Sequence, residues 1–284
     1  MGRTWSFGDV ELVALWTADK RRESLPHPLT FLSNTPMLDD YERELSDIRE
    51  RMRDVMDDGF GAVLDVLARP DVRIRVEGFD GRDPDDPRAR VRLYAALTAK
   101  HCYLIRQRPG ATIWHSGGYV ITEHEAPSLS RAVCAELPEM PAGRMDPVLM
   151  LHAIDDELPG VANQDMDYSG GRSAVSVDAQ DSVEDREAAF MRAPATYLGT
   201  IEIAQGHSIY GPRGITSRWV AWRDLEDDGR YAIAVTARPL AVPVDRTRMI
   251  AMIDSAIADV LESADRESSP GHSIQLDDLS SEAI

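Results

Sequence analysis

The sequence predicts an α+β fold in two quasi-symmetric halves, each an antiparallel sheet flanked by helices. Three observations lead to it. Residues 199–235 alternate apolar and polar side chains in three runs broken by turn signals, which reads as an antiparallel meander. Residues 72–79 alternate in the same way directly after a long amphipathic stretch. Both parts of the chain also follow one order: helix, three or more strands, helix.

Taken from the N-terminus, residues 9–18 (DVELVALWTA) fit neither period cleanly, and a short helix or a strand is open there. Leu25-Pro-His-Pro-Leu29 is a turn into a short extended piece. A long helix is expected from about Asp39 to Ala68. Tyr41, Leu45, Ile48, Met52, Val55, Met56, Phe60, Val63, Leu64 and Leu67 recur there at intervals of three and four. It should bend near Gly59 and Gly61 and stop at Pro70. Val72–Phe79 is then a half-buried strand with Val72, Ile74 and Val76 inward. Strands are expected at Val91–Thr98, His101–Gln107, Ala111–His115 and Tyr119–His124, followed by a helix from Pro127 to Leu137.

Residues 138–178 show little periodicity beyond a possible short helix at 147–157, and read as a linker with a mobile acidic loop. A helix from Asp181 to Met191 leads into the meander. Tyr210-Gly-Pro-Arg-Gly214 separates its first two strands, and Asp227-Asp-Gly229 marks a hairpin. Large apolar groups on both faces of the middle strand imply that it is covered on both sides. A last helix runs from Asp245, its N-cap, to about Leu261. The domain plan is therefore an N-terminal half at 1–140, a linker at 141–178, a C-terminal half at 179–262 and a disordered acidic tail at 263–284.

The net charge of −18 is concentrated. Residues 145–187 hold eleven acids against two arginines, and residues 262–284 six against one. The folded remainder is near neutral, which disfavours nucleic acid as a partner. No apolar run approaches the roughly 20 residues needed to cross a bilayer, and the N-terminus lacks the pattern of a signal peptide; a cytoplasmic protein is expected. Cys102 and Cys134 lie in apolar segments and read as free buried thiols.

Chemical motifs fail where their chemistry matters. His115 and Ser116 are strand neighbours pointing to opposite faces, so the histidine cannot serve the serine as base. Gly206–Gly211 has the glycine spacing of a phosphate-binding loop, but Pro212 and Arg213 stand where Lys and Ser/Thr are needed. Asp165-Met-Asp-Tyr-Ser-Gly170 imitates the start of a calcium loop, yet its twelfth position is Ser176 rather than Glu. The histidines are scattered, and no C-x-x-C occurs. No catalysis, metal or cofactor is expected.

A set of short motifs does carry a resemblance. They include Leu25-Pro-His-Pro-Leu29, Asp39-Asp-Tyr-Glu-Arg-Glu44, Pro70-Asp-Val-Arg-Ile-Arg-Val76 and Gln107-Arg-Pro-Gly110. Further on stand His115-Ser-Gly-Gly-Tyr-Val-Ile-Thr122, Asp181-Ser-Val-Glu-Asp-Arg186, Gly199-Thr-Ile-Glu-Ile203, Tyr210-Gly-Pro-Arg-Gly214, Trp222-Arg-Asp224 and Asp227-Asp-Gly-Arg-Tyr231. In this order and spacing, from about Phe7 to Leu261, the chain resembles the EspG family, chaperones associated with ESX (type VII) secretion systems. The resemblance implies a non-enzymatic cytosolic chaperone that binds a PE–PPE heterodimer by the PPE protein's helical tip. It implies contact through the sheet surface and C-terminal helices. On that basis Tyr210, Arg213, Arg218, Val220 and Trp222 are the candidate partner-binding residues. Against it stand a hydrolase or small-molecule binder using the His115–Tyr119 turn and the Gly206–Gly214 loop, and an acidic immunity-type inhibitor of a toxin.

Overall fold

A computed structural model describes residues 2–150 and 177–268. It builds one ten-stranded sheet in which every pair of neighbours is antiparallel. In chain order the strands are β1 (Thr4–Phe7), β2 (Val72–Asp80), β3 (Val91–Leu97), β4 (Cys102–Pro109), β5 (Ser116–His124), β6 (Val148–Leu149), β7 (Ala195–Gln205), β8 (Ser217–Leu225), β9 (Arg230–Ala234) and β10 (Leu240–Pro243). They lie in the order β1-β5-β4-β3-β2-β7-β8-β9-β10-β6. Read inward from either edge the pattern is the same: a short edge strand, then four strands in descending or ascending sequence, ending on the central pair. That pair, β2 and β7, is in register from Val72 opposite Gln205 to Asp80 opposite Tyr197. Strands β1–β5 and β6–β10 are thus joined into one sheet.

The alternation expected along β2 holds and sets both faces. Val72, Ile74 and Val76 point to the same side as Ile201 and Ile203 of β7, and all five are fully buried. Two helices cover this side, α5 (Leu129–Ala135) and α7 (Arg246–Ser268), through Leu129, Val133, Met249, Ile253 and Val260. On the other side α1 (Asp9–Trp16) and α4 (Gly61–Ala68) pack on Tyr94, Tyr103, Ile105, Tyr119 and Ile121. The helix α6 (Val177–Arg192) packs through Phe190 on Ala221, Leu225, Tyr231 and Ile233. Strand β8 is therefore apolar on both faces because both are covered, as its sequence implies.

The long helix expected from Asp39 to Ala68 is broken. It forms as α2 (Leu38–Arg51), a short α3 (Arg53–Val55), a π-turn at Met56–Phe60 and α4. Gly59 takes a left-handed φ of 91° inside the turn, a conformation open to glycine at little cost. The break lets one amphipathic stretch serve two partners. Leu45 and Ile48 of α2 pack on α1, while Val63, Leu64 and Leu67 of α4 pack on the sheet.

Other expectations change for local reasons. Ala111–His115 is no strand: Pro109 already pairs with Ser116, so the residues between them make the reversal from β4 to β5. Residues 9–16 are helical, with Glu11 Oε2 accepting the Gly8 N–H at 2.7 Å in a capping box. Strands β1, β6 and β10 are too short, or too broken by proline, to show a period of two. Val148–Leu149, expected at the start of a helix, instead pairs with β10. Residues 142–150, expected within a linker, are built onto the β9–β10 edge: Gly143 N–H donates to Arg230 O at 3.0 Å and Met145 N–H to Tyr231 Oη at 2.7 Å. The helix Asp181–Met191 starts earlier, at Val177. Asp245 caps α7 by accepting the Arg248 N–H at 2.8 Å, and α7 runs on to Ser268, past the boundary expected at Glu262. Residues 263–268 are good helix formers in the main, and only the Pro270 of the sequence forbids continuation. The expected mobile acidic loop and the remainder of the tail fall largely outside the described residues.

Two tight contacts lead to predictions. Trp222 lies across the central pair, stacked on Tyr197 at a centroid distance of 6.4 Å, and fits only because Gly78 and Gly199 lie beneath it. A Cβ at Gly199 would stand 2.2 Å from Trp222 Cη2. Gly199→Ala should therefore destabilise the protein by about 1–3 kcal/mol through overpacking, measured as a shift of the urea midpoint at constant m-value. Cys102 and Cys134 are free and buried on the same side of the sheet. Burial pushes their thiols up to about 12 and about 11. A thiol reagent at mildly alkaline pH should leave both unlabelled in the native protein and label both in denaturant.

Candidate partner surface

The β7–β8 connection, residues 206–216, is a constructed loop. Gly206 N–H donates to Asp71 O at 2.8 Å, which pins the loop's base to the start of β2. Gln205 Oε1 accepts the Thr216 N–H at 2.7 Å and closes it. Within it, Gly211 N–H donates to Ser208 O at 3.0 Å, Gly211 adopts a φ of 75°, and Pro212–Gly214 form a 3-10 turn. Two large apolar side chains are thereby held outward, Ile209 at 68% and Tyr210 at 54% exposure, with Arg213 exposed beside them.

The five candidate residues separate into three groups. Tyr210 and Arg213 are on the loop surface. Arg218 is half-buried at the loop's base, its Nε 3.3 Å from Asp259 Oδ2 on α7. Val220 and Trp222 are core, 3% and 1% exposed, enclosed under the helix that starts after Asp245. That corrects their placement on a surface: the strand face they occupy is the one α7 covers.

Sequence reasoning missed a second feature, on the opposite side of the central pair. Between the patches covered by α4 and by α6, β2 presents Arg73, Arg75 and Glu77, and β7 presents Thr200, Glu202 and Ala204. None of these belongs to a hydrophobic cluster of the described residues. Arg75 Nη1 donates to Glu202 Oε2 at 2.9 Å. Arg90 and Arg92 approach Glu77 at 3.1 and 3.5 Å. Arg73 reaches only a backbone carbonyl, Gly206 O at 3.4 Å, and its Nε is buried without a hydrogen-bond partner. Burial lowers the pKa of Arg73, and the neighbouring Arg75 charge adds to the effect. The strip was readable in principle: fixing Val72, Ile74 and Val76 inward puts Arg73 and Arg75 outward. What the sequence lacks is that β2 is central and that no described helix crosses it.

The alternative sites do not assemble. Ser116 Oγ is occupied by the Gly118 backbone, accepting its N–H at 3.0 Å, while His115 Nδ1 pairs with Thr112 Oγ1 at 2.7 Å. The cavity beside that turn holds about 10 Å³, too small for a substrate. A wider groove of about 1080 Å³ lies between α1, α2 and residues 23–32, with Leu32 and Trp114 exposed on its rim. Among the described residues no cluster of three or more His, Cys, Asp or Glu could hold a metal ion, and no helix is long and apolar enough to cross a membrane.

No curated protein matches this chain. Among solved structures, it is similar to the Mycobacterium tuberculosis type VII secretion system chaperone EspG5, determined in complex with the PE25–PPE41 dimer. The identity is 10%, with 92% of this chain and 97% of that one covered, at a TM-score of 0.49. The model of the EspG family matches residues 9–255, which takes in β2 to β10 and the first ten residues of α7. The chain belongs to the EspG family.

Proposed function

We propose that this protein is a cytoplasmic chaperone that binds a PE–PPE heterodimer through the PPE protein and keeps it soluble for export by a type VII secretion system, without catalysing a reaction. The observation that carries this reading is the family match over residues 9–255. Two features of the molecule support it. The Gly206–Thr216 loop holds Ile209 and Tyr210 outward beside Arg213, an apolar contact patch with a directed polar group at its rim, as recognition of a helical tip requires. The His115–Ser116 pair that a hydrolase would use is engaged elsewhere, Ser116 with the Gly118 backbone and His115 with Thr112. The matching strand order from each edge also supports two quasi-symmetric halves, 1–140 and 179–262, with the partner docking where their sheets join.

The test is co-expression with a PE–PPE pair encoded in the same genome. A stable complex on size exclusion is expected, and failure of every such pair to co-purify overturns the function. Arg213→Glu should weaken capture while leaving stability within about 0.5 kcal/mol, because the side chain is exposed. A folded charge-reversed protein that retains its partner in full yield would move the site away from this loop.

A further inference from the structure

The loop accounts for apolar contact but leaves the arginine strip unexplained. Among the described residues the half-buried cation Arg73 makes one hydrogen bond, a long one to a neutral carbonyl, and its Nε donor is buried without a partner, as are those of Arg75, Arg90 and Arg92. Among the described residues no carboxylate pairs with it, since Glu202 is engaged by Arg75 at 2.9 Å. Leaving a guanidinium in this state costs free energy, and such a group is normally paired or replaced by an apolar side chain. Nothing in the core requires it: Arg73 stands on the side of β2 opposite Val72 and Ile74, between two residues with small side chains, Ala96 and Ala204. Around it Arg75, Arg90 and Arg92 outnumber Glu77 and Glu202, so the strip is cationic in a chain of net charge −18. Among the described residues the hydrogen bond of Arg73 is to Gly206, the first residue of the candidate loop, which places the strip at the loop's base.

We propose that Arg73 is the anion-binding residue of this surface, pairing with a carboxylate side chain on the partner's helical tip while Ile209 and Tyr210 take the apolar contact. The inference rests on the chaperone reading above and names the chemistry of what docks. The Nη groups of the Arg73 guanidinium can engage a carboxylate through charge-assisted hydrogen bonds. The pairing satisfies in the complex a charge that is unsatisfied in the free protein, so it contributes to affinity without contributing to the stability of the chaperone alone.

The experiment uses the full chain and a PE–PPE heterodimer from the same genome, with Kd measured by calorimetry at low and high salt. Arg73→Gln should weaken binding by about 10- to 100-fold, the scale of one charge-assisted hydrogen-bonded pair, and flatten the salt dependence. Arg73→Lys should retain part of the affinity. Arg73→Met, which removes an unpaired cation, should melt no lower than the parent, showing that the losses are not unfolding. Replacing an acidic residue of the tip by lysine should restore binding to Arg73→Glu. If the parent binds the pair and Arg73→Gln binds it with the same Kd and salt slope, this inference falls and the chaperone reading stands. If the parent binds no pair, both fall. If a chain ended at Ser268 binds more tightly and Arg73→Gln reproduces that gain, the strip is held by the chain's own acidic segment 269–284, and the proposal is overturned.

Discussion

The rest of this structure depends on the antiparallel pairing of β2 with β7. Nine residues of β2 find partners on β7, from Val72 to Asp80, and through them the strands of both halves become one sheet. Because the fully buried valines and isoleucines of both strands lie on one side, the pairing dictates where helices can dock. The Val72–Ile74–Val76 and Ile201–Ile203 side must be covered, and α5 and α7 cover it. The other side carries charge, so α1, α4 and α6 pack away from the centre, on β3–β5 and on β8–β9. The half-buried charged strip is what remains between them.

Contacts near the centre show how closely this pairing is specified. Trp222 requires the absence of a side chain at both Gly78 and Gly199, which face each other across the β2–β7 ladder. At the far end of β8, Asp224 and Arg230 form a buried ion pair at 2.6 and 2.7 Å, and Arg230 also donates to Pro138 O at 2.8 Å. Burial pushes the Asp224 carboxyl upward, against the two hydrogen bonds from Arg230 that hold it down. This pair is fully partnered, and it ties the β8–β9 hairpin to the segment leaving α5. Arg73, equally a charge within the sheet, has no such partner. The contrast separates a structural ion pair from a group that pairs with no carboxylate among the described residues.

Much of the fold was legible because long amphipathic elements announce themselves. The alternation of β2, the three strands of the meander, the hairpin at Asp227–Gly229 and the capped start of α7 were all readable. Asp227 indeed takes a left-handed φ of 59° in that hairpin. The failures fall where sequence period and final geometry part company. The helical period runs on through Gly59 although the helix itself does not, since periodicity records which residues are apolar and not which partner each turn meets. Short edge strands such as β1 and β6 have too few residues to display a period, and they exist only because a neighbour offers an unpaired ladder.

The candidate surface divides in the same way. The sequence alone determined that Tyr210 and Arg213 project, because a Gly-Pro-Arg-Gly turn has nowhere else to send its side chains, and it determined the family through motifs spread along the chain. It could not assign Val220 and Trp222 to core or surface, because the choice depends on which face of β8 the helix α7 covers. Nor could it single out Arg73. An arginine alternating with valine and isoleucine is an ordinary outward residue on an edge strand, and an unsatisfied cation on a central one. Strand order is a property of long-range pairing, and only the tertiary structure decides it.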